Sequence, residues 1–421
     1  MEKEWLIRGL DFDKILFGDF HIHSRFSRAC SKDLNVINLV KWARIKGLNL
    51  LGTGDFTHEV WLNELKNSLK EDEGIFWYED SKGKFPFILT SEISLVYSQE
   101  GKGRRVHLVY LAPSFEAVDK INSWLDTKGR RDYDGRPIFS ISCRDFVAKM
   151  KEIDERIEVI PAHIWTPYFG AFGSMSGFDS LEQAFGDMKD RIHAIETGIS
   201  SDPEMNWKIR DLKNISILSF SDSHSYWPWR LGRESTIFNK PEKITYDEIL
   251  RQIQENDYFG TVETDPAYGK YHFDGHADCK FSCPPEETKK LNETCPVCGK
   301  KLVVGVEFRV EELASEGKVE KEKPFFRILP LHEILSLGLG VGMASKGCWK
   351  IYDLLIEKFG NEFNVLINVP EKELNELIDS KLTDLIIRNR NGDIHVKAGY
   401  DGLYGEALIG KAEKQKKLVF V

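Results

Sequence analysis

The chain has 421 residues, of which 41% are hydrophobic and 30% charged, and its formal net charge is -9. This composition supplies sizeable cores and excludes global disorder, while the length asks for two or three domains. The acidic balance does not advertise a nucleic-acid binder, although a basic groove can sit inside an acidic chain.

The start, Met1-Glu2-Lys3-Glu4-Trp5, lacks the basic and then apolar layout of a signal peptide. No run approaches the about 20 apolar residues of a membrane-spanning helix. A soluble, cytoplasmic monomer without membrane contact is the expectation.

Ile15-Leu16-Phe17 opens a buried strand that ends in Asp19-Phe20-His21-Ile22-His23-Ser24. Alternate residues of a strand share a face, so Asp19, His21 and His23 point the same way. Neutral imidazoles side by side are good ligands for zinc, iron or manganese. An isolated His-x-His is more often a pair of surface or core histidines; here further acids and histidines at other strand ends weigh against that. Val36 to Lys46 has helical spacing and ends at Gly47. Leu48 to Asp55 then reads as a strand with an acid at its C-terminal end. The step recurs: Phe85 to Ser91 precedes Glu92, and Arg105 to Leu111 carries His107. Ile157 to His163 and Ile192 to Glu196 each end in a ligand type, and Ile215 to His224 ends in Asp222-x-His224. Helix-like stretches such as Ser142 to Lys151 and Glu204 to Lys213 lie between them. Such alternation predicts a mainly parallel sheet with covered faces. Six or more strand ends carrying polar ligands predict an α/β barrel; an open doubly wound sheet is the alternative.

Composition changes near Thr264. Cys279-x3-Cys283-x11-Cys295-Pro-Val-Cys298-Gly follows, four of the chain's seven cysteines. The spacing predicts one tetrahedral, structural Zn2+ held by Cys279, Cys283, Cys295 and Cys298, with His276 in place of Cys279 as a minor variant. From Lys321 the chain reads as α/β again, with helices over Trp349 to Phe359 and Glu371 to Ile378 and a basic tail over Lys411 to Lys417. Gly338 to Lys346 lacks phosphate-loop spacing and reads as a glycine-rich turn. Its peptide N–H groups could still approach a nucleic-acid backbone.

The first-cluster ligand candidates are His21, His23, Asp55, Glu92, His107, His163, Glu196, Asp222 and His224. Mixed His and carboxylate ligands without thiolate suit two or three divalent ions (Zn, Mn, Mg or Fe). Such a site binds phosphate oxygens, lowers the pKa of a bound water and stabilises a leaving oxygen, which is phosphoester hydrolysis in outline. Glu92 and Asp222 are the natural bridges, and with His163 they are the residues set nearest the chemistry. His193 reads as structural, His58 as a ligand or a loop histidine, and His107 competes with a core histidine.

These residues resemble the PHP (polymerase and histidinol phosphatase) family over roughly residues 14 to 265. The resemblance rests on His21-x-His23, the Thr-Gly-Asp55 strand end, Glu92, His107, His163 and Asp222-x-His224. It implies a distorted (βα)7 barrel with a trinuclear metal site. More narrowly, the layout is similar to the archaeal endonuclease Q family: a catalytic barrel over 1–265, a zinc-ribbon-like insert over 266–305 and a smaller, DNA-contacting C-terminal α/β domain over 306–421. The closest local matches are Gly18 to Ser27, Gly52 to His58 and Pro161 to Pro167. That family is implied to cut DNA 5′ of deaminated bases (hypoxanthine, uracil) and abasic sites. The chain departs from the wider PHP pattern in Thr-Gly-Asp55-Phe56, where the family has Thr-Asp-His, and in lacking a His or Asp around Ala29.

The loop after His163 and the stretch Ser221 to Arg230 are aromatic. Trp165, Tyr168, Phe169, Phe172, Tyr226, Trp227 and Arg230 are the candidates to accept a flipped base, although loop aromatics are often lid packing. Arg25, Arg28, Arg104, Arg105, Arg130 and Arg131 are candidates to hold phosphates. The expected partner is damaged DNA, with replication or repair proteins as further partners. A small-molecule phosphatase on the same barrel and a noncatalytic DNA-binding module are the alternatives.

Overall fold

The structure, a computed structural model, describes residues 10–315 and 322–408. The starting pentapeptide and the basic tail lie outside the described residues. Seven strands carry the candidate ligands: Ile15–Asp19, Leu50–Gly52, Gly83–Gln99, Lys102–Ala112, Glu158–Pro161, Ala194–Glu196 and Ser216–Leu218. Their hydrogen bonds run in a circuit. The first pairs the second, the second the third, the third the fourth and the fourth the fifth. The sixth and seventh pair with each other. Two links at the ligand-bearing ends join the remaining gaps. Ile164 N donates to Glu196 O at 3.0 Å, and Ile22 bridges Ser223. One buried cluster draws a side chain from each strand: Leu16, Leu50, Ile88, Val109, Ile160, Ala194 and Leu218.

The expected mainly parallel sheet is corrected to a mixed one. Gly83–Gln99 and Lys102–Ala112 form a long antiparallel hairpin, and Lys102–Ala112 pairs Glu158–Pro161 antiparallel as well. The connection at Glu100 and Gly101 is too short for a crossover, so the hairpin has no parallel option. Ser235–Asn239, Gly260–Glu263 and Phe325–Arg327 extend the sheet beyond Ile15–Asp19. Helices cover the outer face where the sequence supplies caps. Asn35 accepts from Asn38 N at the start of Val36–Lys46, and Gly47 ends it at φ 101, a left-handed conformation that glycine takes without a Cβ penalty.

The expected C-terminal α/β segment is mostly helical, with one short hairpin of His395–Lys397 against Glu406–Leu408. Residues 331–390 are helical, with Leu331–Leu339, Lys346–Phe359 and Ser380–Arg390 packed around Leu335, Leu355 and Leu385. The strand Phe325–Arg327 belongs to the main sheet, in parallel with Gly260–Glu263. The glycine-rich stretch is a turn between two helices: Gly340 caps the first at φ 68 and Ser345 caps the second. These helices are bolted to the strand layer by the buried ion pair Lys46–Glu362 at 2.7 Å and by Trp42, Trp227 and Trp349. Among the described residues no helix is long and apolar enough to cross a membrane.

Candidate metal centre

The circuit brings the first-cluster candidates to one end of the strands. His21, His23, Glu92 and Asp222 place one donor atom each within 4.8 Å of one another, and Glu92, His107 and His163 form a second such group. Glu92 belongs to both. Its Oε2 faces His21 Nε2 at 3.3 Å and His23 Nε2 at 3.2 Å, and its Oε1 faces His107 Nδ1 at 2.6 Å and His163 Nε2 at 3.4 Å. A carboxylate set between two pairs of imidazoles could supply a donor to each of the two groups. Asp222 Oδ1 closes the first group, 3.1 Å from His23 Nε2 and 3.5 Å from His21 Nε2.

Asp55, Glu196 and His224 lie outside both groups. Glu196 receives His21 Nδ1 at 2.9 Å and the His163 backbone N at 3.0 Å. Asp55 receives His23 Nδ1 at 3.0 Å, and its other oxygen takes Ser24 N, Ser24 Oγ and Ser27 Oγ. Both carboxylates therefore fix imidazole orientation, which keeps the far nitrogen aimed inward. The His224 ring lies 4.5 Å from that of His23, and its Nδ1 bonds Asp222 O. His58 stacks on Phe26 and His193 pairs Glu158 at 2.9 Å. Asp55, His163 and Asp222 have φ of 48°, 31° and 47°, uncommon for residues with a side chain and costly unless the surroundings impose them. Gly54 before the first is itself at φ +62, and a Cβ there would collide with Ile22 O.

The donor set fits divalent ions. His21 Nε2 and Glu92 Oε1 are buried among other donor and acceptor atoms at 2.6–3.3 Å without a well-aligned hydrogen bond, a cost that an ion removes. Burial opposes charge on His21, yet Glu196, Glu92 and Asp222 hold it well above its ordinary value; at His23 burial is outweighed by Asp55, Asp222 and Glu92. Burial likewise opposes ionisation of Glu92, yet Arg136, His107 and His21 hold it well below the carboxylate range. His107 is pushed down to about 4 by burial, against the pull of Glu92. The raised groups are His21 and His23, so ion uptake at these two imidazoles is expected to release protons.

Of the expected base-binding aromatics, Trp165 and Phe172 are fully buried. Trp165 donates to Asn206 Oδ1 and packs on Phe172, so both belong to the core rather than a pocket. Phe169 lies 4.4 Å from the His107 ring, and Tyr168 keeps 37% exposure beside it. Tyr226 and Trp227 pack against Trp42 in the joint to the C-terminal helices, and the charge of Arg230 faces Glu333 there. Arg25, Arg104, Arg130 and Arg131 are engaged by Glu64, Gly177 O, Asp132 and Asp126. The guanidinium that reaches the cluster is Arg136, 3.0 Å from Glu92 Oε2. No spacing pattern marked it.

The four-cysteine expectation is corrected. His276, Cys279, Cys295 and Cys298 gather their donors within 4.8 Å. Cys283 lies outside that group but beside it: it is buried against Cys295, and its Sγ lies 3.2 Å from Thr288 Oγ1. The hairpin explains this. His276 pairs Phe281, and Cys283 sits two residues further along opposite Asp274, whose carboxylate takes Thr288 Oγ1. At Cys295 burial is outweighed by the N–H groups of Val297 and Cys298, which lower the thiol's pKa. Gly299, at φ +74, closes that turn.

Next to the first cluster, Glu234 and Glu263 are fully buried neighbours, each with one oxygen lacking a partner. Burial pushes Glu234 up to about 8, and burial together with Glu234 raises Glu263. Raised carboxyls stay protonated in the folded chain where the unfolded chain has lost the proton, so stability falls as pH climbs from the ordinary carboxylate range through about 8. Melting temperature should decline over that window, and Glu234→Gln should flatten the decline; an unchanged slope refutes the assignment.

A mixed α/β fold that holds two adjoining histidine and carboxylate groups around one glutamate is the donor arrangement that a metal-dependent phosphoesterase type of enzyme requires. The comparisons narrow the class. The lesion-specific endonuclease PfuEndoQ from Pyrococcus furiosus is similar at TM-score 0.83 and 32% identity, over 94% of this chain and 95% of that one. Endonuclease Q in complex with a 27-mer duplex substrate, with an abasic lesion at the active site, is similar at 0.84 and 32%, over 94% and 97%. The chain belongs to the endonuclease Q family. Uncharacterized protein MJ0043 of Methanocaldococcus jannaschii is 34% identical over 292 residues, which are 66% of this chain and 34% of that protein. The chain thus spans about a third of that relative's length. The MJ0043 C-terminal domain family model matches residues 330–393, the helical segment described above.

Proposed function

We propose that the chain is a DNA-repair endonuclease that hydrolyses the phosphodiester 5′ of a deaminated base or an abasic site. The observation that carries the reading is the pair of ligand groups sharing Glu92 at the strand ends. The 32% identity to lesion-specific endonuclease Q over nearly the whole chain supports the choice of substrate. His21, His23, Glu92 and Asp222 would hold one ion and Glu92, His107 and His163 another, and Asp55 and Glu196 set the imidazoles. Bound ions would supply Lewis acidity toward phosphate oxygens and an activated water. The buried histidines and Glu92 form the floor, while Asp222 and His224 keep side-chain exposures of 30% and 32% at the mouth. A backbone phosphate would therefore enter past Asp222 and His224. Within this reading, residues 1–265 carry the chemistry, 266–305 a structural zinc, and 306–421 grip DNA.

The direct test incubates Mn2+-loaded protein with duplexes carrying one deoxyuridine, one deoxyinosine or one abasic site. A single nick 5′ of the lesion, with 3′-hydroxyl and 5′-phosphate ends and abolished by chelator, is the expected product. Intact strands, together with efficient release of phosphate from histidinol phosphate, would overturn the reading in favour of a small-molecule phosphatase.

A further inference from the structure

Arg136 lies where no spacing rule placed a functional residue. Its guanidinium NH1 is 3.0 Å from Glu92 Oε2, the oxygen that also faces His21 and His23. Glu92 is fully buried, whereas the Arg136 side chain keeps 26% exposure. The arginine thus stands at the mouth with Asp222, one end on the bridging carboxylate and the rest toward solvent.

The segment that carries it is tied down from several directions. Gly135 N donates to Phe26 O at 3.1 Å, and Thr57 Oγ1 donates to Gly135 O at 3.0 Å. Arg136 N donates to Asp134 Oδ1 at 3.1 Å, and Ser94 N to Pro137 O at 3.0 Å. Gly135 packs so closely that a Cβ there would collide with Asp55 Oδ2 and Ser27 Oγ. The chain has therefore committed a glycine and several backbone hydrogen bonds to holding one cation over the ligand groups.

A fixed positive charge beside divalent ions repels them, so Arg136 cannot be there to raise ion affinity. Its value lies in what binds next. A guanidinium offers a planar fork of donors matched to phosphate oxygens; among the described residues its close ion pair is to Glu92, with Asp222 and Asp134 adding negative charge nearby. Resting on the endonuclease reading, we propose that Arg136 is a catalytic residue that binds a non-bridging oxygen of the scissile phosphate and stabilises the charge that builds there. The competing role is a placeholder: a cation that merely neutralises Glu92 until ions arrive.

The test compares wild type, Arg136→Ala and Arg136→Lys in three measurements. These are single-turnover nicking of a deoxyuridine duplex, calorimetric affinity for Mn2+, and affinity of the Mn2+-loaded protein for inorganic phosphate. Arg136→Ala should slow nicking by about 10²–10³-fold, as loss of a preorganised oxyanion donor does. It should weaken phosphate binding by roughly tenfold and leave Mn2+ affinity equal or tighter, and Arg136→Lys should recover part of both losses. Nicking within about threefold of wild type, unchanged phosphate affinity, or a loss of Mn2+ that accounts for the loss of activity would each overturn the assignment. Should wild type itself fail to nick, the endonuclease reading fails while the phosphate measurement still decides the role of Arg136.

Discussion

Glu92→Ala is expected to abolish strand cleavage and to lower the Mn2+ bound per chain more than any other single change at the site. The reason is geometric. Glu92 offers Oε2 to the group of His21, His23 and Asp222 and Oε1 to His107 and His163. Its removal takes a ligand from both groups at once and leaves Arg136 without its carboxylate partner. Asp222→Ala takes a ligand from one group only, so it should lose nicking while retaining one ion and most lesion-DNA binding. Losses of about 10³-fold or more are the expectation for groups that act as a unit. Glu196→Gln, which touches His21 only through Nδ1, should cost far less, about 10–100-fold in metal affinity or activity. Metal content by mass spectrometry and nicking rates on one duplex check all three. Glu92→Ala protein with full metal content and near-normal rate would end the shared-ligand account.

The second large effect belongs to the Cys/His group. Cys279→Ser, Cys298→Ser and His276→Ala should each release the structural ion, whereas Cys283→Ser should keep it at full occupancy. Around this group the apolar core is small: Cys283, Cys295 and Leu302 are its buried members. So little apolar burial cannot hold an element of this length, and the binding energy of the ion would be its folding energy. Zinc per chain and protease resistance between about residues 270 and 305 read this out. A Cys283→Ser protein that loses zinc while His276→Ala keeps it would restore the four-thiolate set.

Much of the site was visible in the chain because strands impose a period of two. His21-x-His23 and Asp222-x-His224 stood out by spacing alone, and the structure sets them on adjoining strand ends bridged at Ile22 and Ser223. Glu92, His107 and His163 were legible as polar interruptions of apolar runs. The same reasoning could not show which of these acids join the two donor groups. Asp55 and Glu196 have the residue type and strand-end position of ligands, but each spends its oxygens on an imidazole and on nearby donors. Trp165 and Phe172 failed as pocket residues for a related cause. The loop that carries them turns Trp165 inward onto Asn206 and Phe172 onto Trp165, and aromatic content says nothing about which way a loop folds.

Residue type and period thus determined that the chain buries imidazoles and carboxylates at strand ends and that a second, cysteine-bearing site lies past residue 270, because a strand's two faces and a knuckle turn are local properties. Which donors converge, which strands run antiparallel, that His276 displaces Cys283, and that Arg136 stands over Glu92 were decided only by the tertiary structure. Those relations join positions tens of residues apart through packing and hydrogen bonds, and no local pattern records them.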